Sequence, residues 1–129
     1  MRKSLAFALT LTLISSGLAF AAEDSVIKDA MKFAHKAPQG EKKLSDKIID
    51  GTASEEDVKK ALDLYKKMAD AKPPRGDQAI FKTKVAKVIE ATEEVVAKKP
   101  EAGLHYKAAI DCKACHTDFK PKPPVPAAK

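Results

Sequence analysis

An all-α fold, an antiparallel four-helix bundle, is what this chain predicts. Apolar residues recur at three- and four-residue intervals along four long segments, as in helices with one buried face. No segment alternates apolar and polar residues in the manner of a half-buried strand. Short breaks carrying proline or glycine separate the segments, which makes successive helices antiparallel neighbours.

The first long helix is expected over 24–36, capped by Asp24 or Ser25, with Val26, Ile27, Ala30, Met31 and Ala34 inward. Ala37-Pro38-Gln39-Gly40 ends it. A shorter helix over 41–50 turns Leu44, Ile48 and Ile49 inward and stops at Gly51. The second long helix starts at Thr52 or Ser54, since Thr52 with Glu55 and Ser54 with Asp57 both make a capping-box spacing. Its stripe is Val58, Ala61, Leu62, Tyr65, Met68 and Ala69. Lys72-Pro73-Pro74-Arg75-Gly76-Asp77 is a rigid turn, and Asp77 can cap the next helix. The third long helix covers 78–98, with Phe81, Val85, Val88, Ile89, Thr92, Val95 and Val96 as its stripe. The fourth covers 101–120, with Pro100 at its first turn. Leu104, Ala108, Cys112, Cys115 and Phe119 lie on its core-facing side, with His105 and His116 beside them. Residues 121–129 are proline-rich and expected to be unfolded.

Chemistry concentrates in Cys112-Lys113-Ala114-Cys115-His116, which holds both cysteines of the chain. C-x-x-C-H is the spacing of a c-type haem attachment site. The two thiols add across the two vinyl groups of one haem, and the adjacent imidazole ligates the iron. On a helix these residues stand at i, i+3 and i+4, on one face. One covalent haem c is therefore the expected cofactor, with Cys112 and Cys115 as anchors and His116 as proximal ligand. A thioredoxin-like C-x-x-C would need a βαβ context, and a structural zinc site usually needs four paired ligands. His35 and His105 do not supply such a pair, and a plain disulfide would leave His116 without a role.

Haem attachment of this kind takes place outside the cytoplasm, and the N-terminus fits export. Met1-Arg2-Lys3 is a positive start, an apolar run extends to about Leu18, and Ala19-Phe20-Ala21 is an A-x-A cleavage pattern. Residues 1–21 are read as a secretory signal peptide, 22–120 as the helical haem domain and 121–129 as the tail. The expected location is the periplasm, with no membrane insertion after cleavage. Losing Arg2 and Lys3 leaves 22 basic against 18 acidic residues, a net charge of +4 in place of +6. The charges are interspersed and lack aromatic interleaving, so nucleic-acid binding is not expected. The lysine excess suits steering of an acidic redox partner. Without the leader only Phe33, Phe81, Phe119, Tyr65 and Tyr106 remain as aromatics. So thin a core is what a buried haem would complete.

A haem motif at the end of a four-helix bundle resembles the class II c-type cytochromes, the cytochrome c-prime family and its low-spin relatives. Cys112-Lys113-Ala114-Cys115-His116-Thr117-Asp118-Phe119-Lys120 is similar to that family's C-K-A-C-H-x-x-Y-R ending. Phe119 stands for the usual tyrosine and Lys120 for the usual arginine. Across 24–120 the likeness is one of helix order and first-helix pattern. The resemblance implies that the second axial position faces the first helix, and that a homodimer can form through the first two helices. Low-spin members place a methionine there, and Met31 holds a similar position; c-prime members leave the iron five-coordinate. Lys28 stands about where the family carries an arginine near a propionate, without the bidentate fork.

The distal side admits three states. Met31 as ligand suits an electron carrier, because a neutral thioether raises the potential. His35, one turn further on the same face, is the rival ligand and would give a bis-histidine haem. An open position would suit a protein that binds nitric oxide or carbon monoxide. Met68 is expected in the core and His105 on the surface. An electron carrier with no catalytic residues is the expected function, served by periplasmic redox partner proteins. A peroxidase would want an open iron with a distal acid–base group, for which His35 is the one candidate.

Overall fold

The computed structural model describes residues 19–123, with side chains from Ser25 onward. Among these residues the fold is all-α, with no strand. The helices are α1 Ala19–His35, α2 Leu44–Ile49, α3 Glu55–Asp70, α4 Gln78–Val96, α5 Ala102–Ala109 and α6 Cys112–Phe119. No described helix is long and apolar enough to cross a membrane. Residues 1–18 of the expected signal peptide and 124–129 of the expected tail lie outside the described residues.

Local chemistry sets the ends. α1 begins at Ala19, ahead of the expected start at 24, through Ala19, Ala21 and Ala22, and alanine is the best helix former. Ser54 caps α3 by accepting from the Asp57 N–H at 3.1 Å, a contribution of about 1 kcal/mol. Thr52 is instead drawn back to Asp50, donating from Oγ1 at 2.6 Å. Asp77 caps α4, accepting from the Ile80 N–H at 2.9 Å. α4 stops at Val96, short of the expected 98, because Lys98 and Glu101 take left-handed backbone at φ 54 and 59. Pro100 lies inside that reversal, before α5.

The expected single last helix is two. Ile110 leaves helical backbone at φ −83, ψ 70, and Asp111 caps a new start by accepting from the Ala114 N–H at 2.9 Å. The phase of the buried stripe resets at this break. Ala102 and Tyr106 face the core from α5, and Phe119 does so from α6. Leu104 is 58 % exposed, and Ala108 and Cys112 are exposed too. The expected stripe of Leu104, Ala108, Cys112, Cys115 and Phe119 is thus corrected to Phe119, with Cys115 half-buried.

α3 packs between α1 and α4; α4 also carries α5 and touches α6, and α2 bridges α1 and α5. The buried core draws Ala30 and Ala34 from α1, Val58, Ala61 and Tyr65 from α3, and Phe81 and Val85 from α4. α6 is held from two sides. Phe119 meets Phe81 edge-on, with centroids 5.1 Å apart, and Lys84 pairs with Asp118 at 3.5 Å. From the 72–77 turn, Arg75 donates to the Thr117 carbonyl, and Gly76, at φ +84, lies against the Phe119 ring.

Candidate functional site

α6 is a two-turn helix created by the Asp111 cap, and it presents Cys112, Cys115 and His116 from one turn. These three line a single cleft of about 340 Å³. α1 contributes Met31 and His35 to the same cleft, and α3 contributes Tyr65 and Met68. Lys84, Val85, Lys87 and Val88 come from α4, and Ala108 to Asp111 complete the lining. The volume lies in the range of cofactor pockets, roughly 300–1,000 Å³.

Cys112, Cys115, His116, Met31 and His35 therefore line one cleft. Both thiols are free, Cys112 exposed and Cys115 half-buried. Burial pushes the Cys115 thiol up, so it is protonated at neutral pH. His116 is exposed at the cleft wall, and Met31 is half-buried. Met68, expected as core, is buried and also forms part of the wall. His105 lies elsewhere, exposed, with Nδ1 2.6 Å from Glu94 Oε2.

His35, the last residue of α1, is half-buried. Its Nε2 lies 3.0 Å from the Tyr65 hydroxyl, which lies 2.7 Å from the Tyr106 hydroxyl. Both tyrosines are 0 % exposed. Burial, followed by the positive charges of Lys43 and His116, lowers the His35 pKa to about 4. Burial likewise raises both phenols, Tyr106 to about 12. The folded state thus resists a proton that the unfolded histidine accepts. Stability is expected to fall as pH drops from about 6.5 toward about 4. Thermal melts across that window check this, and His35→Gln, which cannot titrate, should flatten the profile. An unaltered profile in the variant would count against the assignment.

The donor set fits a covalently held haem. Two thiols and an imidazole stand on one wall, a thioether and a second imidazole on α1, and Val85, Val88, Ala109 and Ile110 provide apolar surface. Among the described residues no three His, Cys, Asp or Glu side chains converge as around a lone metal ion. A larger cleft of about 530 Å³, with walls from α2, α3, α4 and α5, is lined by neither cysteine nor histidine.

Tyr106, Lys84, Lys87 and Asp111 were not legible as site residues. Asp111 had a local signal, an N-cap residue one position before the motif. The others come from separate helices, and no spacing in the chain announces them. No protein-family model, curated protein or solved structure matches the chain.

Proposed function

We propose that the chain is an exported, periplasmic mono-haem c-type cytochrome that carries electrons, and not an enzyme. The observation that supports this is the convergence of Cys112, Cys115 and His116 with Met31 in one cleft. In this reading α1, α3, α4 and the α5–α6 pair are the four members of an antiparallel bundle of the class II cytochrome type. A haem held there supplies a one-electron ferric/ferrous couple.

The chain's own residues then have separate tasks. Cys112 and Cys115 offer thiols for two thioether bonds, and His116 offers the proximal imidazole. Met31 offers a neutral thioether on the distal side, a ligand type that favours the reduced state. Lys84 and Lys87, at the cleft, can pair with propionates. Val85, Val88 and Ile110 keep water from the enclosed face. The lysine-rich surface steers acidic redox partners into weak, fast-exchanging contact, and a homodimer is the assembly the family likeness suggests.

The test is the optical spectrum of the exported protein in both redox states. The oxidised protein is expected to show a near-infrared methionine-to-iron band, lost in Met31→Leu and kept in Met68→Leu. A high-spin oxidised spectrum would overturn the carrier reading in favour of an open, gas-binding position. A purified protein without covalent haem would overturn the cytochrome reading itself.

A further inference from the structure

His35 poses a problem for ligation by Met31. The two residues are one helical turn apart on α1 and line the same cleft. Imidazole is a good iron ligand, so something must keep His35 from taking the sixth position. Resting on the haem reading, we infer that Tyr65, itself held by Tyr106, keeps the His35 imidazole committed away from iron and leaves that position to Met31.

The direction of the hydrogen bonds carries the inference. Among the described residues, Tyr65 is the hydrogen-bond partner of the Tyr106 hydroxyl, and Tyr65 lies between Tyr106 and His35 Nε2. Each phenol has one proton to donate. Both protons find acceptors only if Tyr106 donates to Tyr65 and Tyr65 donates to Nε2. The opposite direction leaves the Tyr106 proton buried and without an acceptor, which is costly. Nε2 is therefore the acceptor, and Nδ1 carries the ring proton.

Ligation needs an unprotonated nitrogen with a free lone pair. Nε2 spends its lone pair on Tyr65, and Nδ1 is protonated. Ligation through Nε2 would strip the buried Tyr65 proton of its acceptor. Ligation through Nδ1 would move the ring proton to Nε2, reverse the chain and strand the Tyr106 proton instead. Either route leaves an unpaired hydroxyl in the core. The Tyr65 ring, 6.0 Å from the imidazole between centroids, also limits how far the side chain can turn. Met31 has no comparable commitment. Tyr65 is thus a positioning residue that acts through His35.

The full-length exported haem protein tests this. Tyr65→Phe keeps the buried ring and removes only the donor. It is expected to lose the near-infrared methionine band, gain a low-spin bis-imidazole electron paramagnetic resonance spectrum and show a lower reduction potential. Adding His35→Leu to Tyr65→Phe should restore the methionine band, which a merely structural role for Tyr65 would not do. Tyr106→Phe leaves Tyr65 donating to Nε2 and should keep the band. A measurement free of variants is nitrogen-15 NMR of the diamagnetic ferrous protein, where His35 should be protonated at Nδ1 and bare at Nε2.

A methionine band that survives Tyr65→Phe, or a wild-type His35 protonated at Nε2, overturns the inference and leaves the carrier reading standing. A wild type that is already bis-histidine does the same. A high-spin wild type removes both, as does a protein without covalent haem.

Discussion

Export of the Cys112→Ala/Cys115→Ala double variant is expected to yield a folded protein with no covalently bound haem. The cysteines can be removed without disturbing the fold, because Cys112 is exposed and Cys115 only half-buried. Alanine is also the better helix former at both positions, so the substitutions themselves should change the stability of the haem-free chain by no more than about 1 kcal/mol. Circular dichroism should therefore report the helices intact, while acidified organic solvent extracts all haem from the variant and none from the wild type. Each single variant should keep one thioether and one vinyl group, visible as a red-shifted reduced α-band. Haem that resists extraction from the double variant would sink the attachment.

Gly76→Ala is expected to cost about 2–5 kcal/mol. Left-handed backbone at φ +84 accounts for about 1–2 kcal/mol. Overpacking accounts for about 1–3 kcal/mol more. A Cβ at that position would lie 2.7 Å from Phe119 Cδ1 and 2.9 Å from the Asp118 carbonyl oxygen. The ring cannot yield freely, because it also packs edge-on with Phe81. For a domain of this size the melting temperature should fall by roughly 10–20 °C. Gly40→Ala is the control. Its φ is +87, yet an added Cβ would meet nothing within 4 Å, so only the backbone strain remains. Equal losses in the two variants would show that the contact with Phe119 contributes nothing. Because Phe119 anchors the helix that carries the cysteines, Gly76→Ala should also lower the yield of attached haem.

What could be read from the chain beforehand was what neighbouring residues decide. Ser54 and Asp77 cap their helices as their spacing suggests, and the stripes of α1, α3 and α4 are buried at their centres, such as Ala30, Tyr65 and Val85, and half-buried at positions such as Met31, Leu62 and Val96. The division of the last helix was missed because the apolar period runs on through Ala108, Cys112 and Cys115. A single Asp111 within it looks like a tolerated polar residue. Only the geometry at Ile110 reveals it as a cap. At the candidate site, Cys112, Cys115, His116, Met31 and His35 stand out from type and spacing, and they line one cleft. The hydrogen-bonded run from Tyr106 through Tyr65 to His35 was not legible. It joins α5, α3 and α1 across 41 and 30 residues of chain, and two of its members look like ordinary core aromatics.

The break before α6 bears on when the geometry of the Cys112–His116 turn comes into being. A helix of eight residues is scarcely populated on its own in water, where even ~12–15 residues are marginal. The arrangement of two thiols and an imidazole therefore does not travel with the pentapeptide that encodes it. An unfolded chain offers three unrelated side chains. The finished constellation is cast by a mould made elsewhere, including an Arg75 that grips a carbonyl 42 residues downstream. Grafted alone onto another protein, Cys112–His116 would bring its reactive groups along and leave their spacing behind.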